Sequence, residues 1–200
     1  MVVRLAKYVI YLTLLTSTSY QYGLAQTMVY DAFLKGHNVG KMTVTREVND
    51  ESDKISVVSH IKAHMIVNIR VDFESHSTYM DGKLMESEAS SKTNGHDHDN
   101  THTIWKGDHY EVSLGRKTKP IAEQKLFGGD LFYFEEPANI DKVYSLTSGE
   151  LLYVEQDDSN KYFFEHDGKK ELHIYENGTL KELHIEHRLY TVIFKLSDLR

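Results

Sequence analysis

Histidine is the one chemical excess of this chain, at 12 in 200 residues. The densest group is His96-Asp97-His98-Asp99-Asn100-Thr101-His102. In an extended segment His96, His98 and His102 fall on one face. Three imidazoles beside carboxylates suit Zn²⁺, Cu²⁺ or Ni²⁺. The spacing matches no standard metal motif, however, and Asn94-Gly95 in front of it is a turn signal. A hydrophilic hairpin loop is the simpler reading of the same residues. His184-Ile185-Glu186-His187 falls in an expected strand, where its two imidazoles point to opposite faces. His60, His64 and His76 share the polar face of another expected strand and read as solvated.

Other chemistry is thinner. The chain has no cysteine, which excludes disulfides, thiol catalysis and thiolate metal sites. It has no nucleophile elbow, no paired-histidine zinc helix and no phosphate-cradling glycine loop. Glu135 and Glu136 are adjacent, so in a strand they diverge and in a loop they merely solvate. Asp157-Asp158 reads as a turn. No catalytic residue and no resident cofactor is expected. Aromatic residues concentrate between 127 and 164, and Phe127, Leu131, Phe132 and Phe134 are the candidates to hold an apolar ligand. Gly128-Gly129 would hinge a flap over that ligand, whereas ordinary core is the competing fate of these side chains.

The N-terminus has the three-part grammar of a secretory signal peptide. Arg4 and Lys7 supply positive charge, 8–15 is a short apolar run, and Gly23-Leu24-Ala25 is a small-x-small cleavage site. Residues 1–25 are therefore expected to be removed, leaving a single β-rich domain over 26–200, exported to the periplasm or secreted. The apolar run is too short to span a bilayer, which takes about 20 residues, so no membrane span is expected after cleavage. Loss of Arg4 and Lys7 takes the net charge from −7 to −9. So acidic a chain lacks the clustered Lys and Arg that nucleic-acid binding requires.

The elements that must position these residues alternate with period 2. Met42, Val44 and Val48 are apolar among polar neighbours, as are the odd positions from Ile55 to Phe73 apart from Ser59. That longer run predicts two strands joined near 65–68. Asp81-Gly82, Asn94-Gly95, Asp167-Gly168 and Asn177-Gly178 predict tight hairpins. Segments 151–156, 161–165, 170–176, 180–187 and 190–196 predict a meander. Pro137 is expected to start a helical turn within 138–144. The fold class expected is all-β: a strongly curved antiparallel sheet of roughly 9–11 strands, forming an open or half barrel around a short helical insertion.

Tyr30-Asp31-Ala32-Phe33 with Gly36 and Val39-Gly40 resembles the opening of a family of uncharacterised exported β proteins from Bacteroidota. Pro137, then Val143-Tyr144-Ser145 and Gly149, and Tyr175 with Asn177-Gly178 extend the resemblance over nearly the whole mature chain. The 96–102 cluster is not part of that pattern. The resemblance implies fold and export, with a remoter likeness to half-barrel carriers of lipoproteins or hydrophobic molecules. The function expected is a non-enzymatic protein holding an apolar small molecule, a lipid or a hydrophobic segment. The alternatives are a histidine-based metal-binding protein and a module that pairs with an envelope protein.

Overall fold

The computed structural model describes residues 24–64, 68–166, 168–187 and 190–200. Residues 1–23 of the expected signal peptide, and the 65–67 part of the connection expected near 65–68, lie outside the described residues. The described residues are mostly strand. A first meander runs through β1 (Leu24–Leu34), β2 (His37–Val48), β3 (Asp53–His64), β4 (Asn68–Met80) and β5 (Lys83–Thr93). It continues through β6 (His96–Trp105), β7 (Tyr110–Leu114) and β8 (Lys117–Ile121). A 3-10 helix, Gly129–Tyr133, precedes a hairpin of β9 (Lys142–Ser145) and β10 (Glu150–Tyr153). The second meander is β11 (Glu155–Asp158), β12 (Lys161–His166), β13 (Lys169–Glu176), β14 (Thr179–His187) and β15 (Tyr190–Leu199).

Antiparallel pairing joins the two meanders into one 13-stranded sheet in the order β11-β12-β13-β14-β15-β1-β2-β3-β4-β5-β6-β7-β8. The last strand therefore pairs with the first, from Met28 opposite Leu199 to Leu34 opposite Val192. The sheet is strongly curved and does not close. Register shifts at Val29/Tyr30, Thr78/Tyr79, Ser91/Lys92 and Ile174/Tyr175 bend it, because an extra residue on one strand increases local twist. Four hairpins turn on two residues that both take positive φ: Lys35-Gly36, Asp81-Gly82, Asn94-Gly95 and Asn177-Gly178. That is the backbone which matches strand twist.

The all-β, half-barrel expectation holds, with more strands than the 9–11 anticipated. The helical insertion exists, but at Gly129–Tyr133 and not within 138–144. Asn139 takes a φ of 68°, which no helix continues through, and Lys142–Ser145 pairs as a strand with Glu150–Tyr153. The 96–102 segment is also different from a loop: only Asn94-Gly95 turns, and His96 already begins β6.

Between β8 and β11 the chain crosses the open side of the sheet and fills its interior. Leu126, Phe132, Val143 and Tyr144 of this plug are fully buried. The sheet makes room with small inward side chains: Ser59, Ser75, Ser77, Ser87, Ala89 and Thr103 are all buried. Buried hydroxyls then moor the plug. Tyr175 donates to the Phe132 carbonyl at 2.6 Å, Thr101 donates to the Thr147 carbonyl at 2.5 Å, and Tyr144 and Thr103 share a bond of 2.5 Å. The Leu126 N–H donates to Tyr110 at 3.3 Å. Burial pushes the Tyr144 hydroxyl up to about 12 and raises that of Tyr79 well above its ordinary value, so both stay protonated.

Candidate ligand-binding site

The plug does not fill the barrel. Toward the end of the sheet where Ala63, Ile69, Thr93 and Tyr190 lie, the inner face is hollow. A mouth compartment of about 380 Å³ is walled by Leu34, Ala63, Ile69, Tyr190 and Val192, with His98 and His187 at its rim. An inner compartment of about 260 Å³ continues below it, reaching Tyr133, Phe164, Asp130 and His173. Ile61, Val71, Ser91, Lys169, Ile185 and Phe194 line both, so the two adjoin in one recess. Its size falls in the roughly 300–1,000 Å³ range of small-molecule sites, and its walls are mostly apolar, as such sites are.

Most of the polar groups of the recess belong to the inner compartment. Ser59, Ser75, Ser145 and Thr147 face it, and Asp130 forms part of its floor. Asp130 is 5% exposed. Ser77 donates to one of its oxygens, and Tyr79 donates to the other at 2.5 Å. Burial raises the Asp130 carboxyl above its ordinary value, while the two hydroxyls pull the other way. Gly128 is the residue that permits this contact. A Cβ there would overlap both the Tyr79 hydroxyl and Asp130. Its φ is −75°, so glycine is required for space and not for backbone freedom.

Strand β13 carries the other polar wall. Lys169, Glu171 and His173 alternate toward the recess, with Tyr175 below them, while Leu172 and Ile174 take the outer face. This inverts the usual pattern. The outer side is sheltered by the cross-strand pair of Leu172 with Phe163, with the Lys170 ammonium 3.6 Å from the Phe163 ring centre. His173 is 2% exposed and sits against Phe132 and Phe164, with ring centres 5.4 and 5.5 Å away. Neither of its ring nitrogens has a hydrogen-bond partner. The nearest carboxylate, Glu171, is 3.9 Å away, beyond hydrogen-bonding distance.

None of Phe127, Leu131, Phe132 and Phe134 lines the recess. They pack in the plug, where Phe132 is fully buried beside Val143 and Phe164, and Arg46 lies over Phe134. Their neighbours Gly129, Asp130 and Tyr133 face the cavity instead. The three candidate metal ligands are separated as well. The register shift between Ser91 and Lys92 makes His98 the extra residue of a bulge in β6, and His98 lines the mouth. His102 lies on the outer face, 2.9 Å from Glu86. Among the described residues no group of three or more His, Asp or Glu side chains is placed to hold a metal ion. On the outer face, too, His60 lies 2.9 Å from Asp72 and His184 2.7 Å from Glu182.

Lys169, Glu171 and His173 were missed because Leu172 and Ile174 dominate the alternation of their strand. The available signal was Lys169, Glu171, His173 and Tyr175 at successive odd positions, a shared face that ends on an aromatic residue.

A family model described as "Domain of unknown function (DUF6134)" matches residues 30–197, and the chain belongs to that family. No curated protein matches it. It is similar to a solved structure, the beta-barrel-like protein of domain of unknown function DUF1849 from Brucella abortus, with a TM-score of 0.54 at 12% identity. The match covers 88% of this chain and 97% of that one. At such identity the likeness is one of fold.

Proposed function

We propose that this member of the family is an exported, non-enzymatic binding protein that holds an apolar ligand inside its curved sheet. The single observation that carries the reading is the recess, with mostly apolar walls. It replaces 127–134 as the seat of the ligand: that segment is the plug that floors and supports the recess. The arrangement suits a carrier of lipids or of a partner's hydrophobic segment, in line with the remote likeness to half-barrel carriers. Export rests on the signal-like 1–25. Of the described residues, cleavage after Ala25 would remove Leu24 and Ala25, which pair with β2 alone. Leu24 is 78% exposed there.

Native mass spectrometry on the full chain, exported by a bacterial host and recovered from its periplasm, tests the reading. The expected result is a processed chain beginning at Gln26, carrying an adduct that organic solvent extracts. A bare polypeptide that also takes up no apolar probe would overturn it. A metal-sized increment would favour the histidine-based alternative.

A further inference from the structure

An apolar recess by itself specifies only a greasy ligand. Three features of this one narrow the class, given the binding function proposed for the recess. Its inner compartment sets polar groups among apolar walls: hydroxyls, Asp130, Glu171 and His173 line it beside Val57, Ile61, Leu183 and Phe194. Asp130 has its partners, Ser77 and Tyr79. His173 does not. It is 2% exposed, lines the inner compartment, and leaves both ring nitrogens without a partner. Buried polar side chains are nearly always paired, so an orphaned imidazole in the wall of a cavity marks a place for a ligand atom.

From the orphaned imidazole of His173 and the polar floor around it, we infer that the natural ligand is an uncharged amphiphile bearing a hydroxyl. The hydroxyl sits in the inner compartment at His173, and the apolar body extends past Ile61, Val71, Ile185 and Phe194 toward the mouth. A hydroxyl both donates and accepts, so it satisfies a ring nitrogen in either tautomer. A carboxylate head fits less well, because Asp130 and Glu171 already line the same compartment and a third acid there meets like charge. Lys169 lines both compartments, so a single lysine stands against those two acids. The ligand class is that of long-chain alcohols, monoacylglycerols and other hydroxyl-headed lipids.

The test is displacement of the fluorescent apolar probe N-phenyl-1-naphthylamine from the full chain by three ligands of equal length: 1-decanol, decanoate and 1-chlorodecane. 1-Decanol is expected to compete about tenfold better than 1-chlorodecane, the scale of one hydrogen bond to a buried group, and better than decanoate. In His173→Leu that advantage collapses while the probe and 1-chlorodecane still bind. His173→Gln, which keeps a donor and an acceptor, restores part of it. Equal competition by 1-decanol and 1-chlorodecane, or an advantage unchanged in His173→Leu, would overturn the role of His173. Stronger competition by decanoate would overturn the uncharged head. No uptake of the naphthylamine probe at all would sink the binding function itself, a different failure from either. Circular dichroism of each variant separates lost selectivity from lost fold.

Discussion

Asp130 and His173 are two buried polar side chains of one cavity, and their difference is informative. Asp130 is held by two hydroxyls that have no other described role. Asp130→Ala leaves both of them buried without an acceptor and is expected to destabilise the fold by about 3 kcal/mol, read from urea unfolding. Its titration adds a second expectation. The folded carboxyl lies above its ordinary value of 3.8, chiefly because it is buried. A group raised in this way binds its proton more tightly folded than unfolded. Its contribution is fully present below the ordinary carboxylate range and is lost as pH rises through the elevated value. Between acidic and neutral pH the wild type should therefore lose stability relative to Asp130→Asn, in which the group cannot titrate. Parallel unfolding curves for the two proteins across that range would show that Asp130 has no raised proton affinity. His60 with Asp72 and His184 with Glu182 belong to the solvated outer face and carry no comparable weight.

At the scale of elements, the plug decides between two meanings of Gly128-Gly129. A hinge would need both glycines for backbone freedom, and alanine at either would be similarly harmful. The structure makes them unequal. A Cβ on Gly128 overlaps Tyr79 and Asp130, while one on Gly129 meets Val143 and Tyr144 at 3.6 and 3.7 Å, ordinary contact distances. Gly128→Ala is expected to lose about 2 kcal/mol by overpacking, and Gly129→Ala less than about 0.5 kcal/mol. Similar losses in calorimetry would revive the hinge. The same elements show what the sequence made legible. β2, β3 and the β14–β15 hairpin followed from alternation, and three of the turns from Asx-Gly pairs that tolerate positive φ. The inner faces of β4 to β6 did not, because serines and threonines that accommodate the plug look like solvent-facing residues. β13 misled for the opposite reason: its aliphatic side chains lie outside, under Phe163 and Lys170. The helical turn begun at Pro137 failed on Asn139, whose left-handed conformation only its neighbours reveal. A bulge defeated the parity argument for His96, His98 and His102, since one extra residue sends the rest of the strand to the other face.

For the molecule as a whole, an unclosed sheet must manage two edges, and that bears on whether this protein works by pairing with another chain. Edges recruit partners when they are long, flat and uncharged. Here they are short: β8 at Lys117–Ile121 carries Pro120, and β11 at Glu155–Asp158 is wholly exposed, with three acids in four residues. Across the gap, Glu150 of the β9–β10 hairpin reaches toward both sides, 3.6 Å from Lys119 and 3.3 Å from His166. The gap is thus bridged by side chains and the plug without a continuous ladder. These features work against strand addition and favour the interior over the rim as the working surface. They also predict that the acidic edge keeps molecules apart. Asp157→Val with Asp158→Val removes two like charges and gives β11 residues of high strand propensity, so association should rise with concentration in sedimentation experiments. The wild type at the same concentrations is the reference, and 1-decanol competition should be unchanged, because β11 contributes nothing to the recess. Unaltered sedimentation would show that the twist and brevity of the edge suffice without its charge. Lost decanol competition would instead show that the rim and the interior are coupled, and that the open side of the barrel takes part in binding.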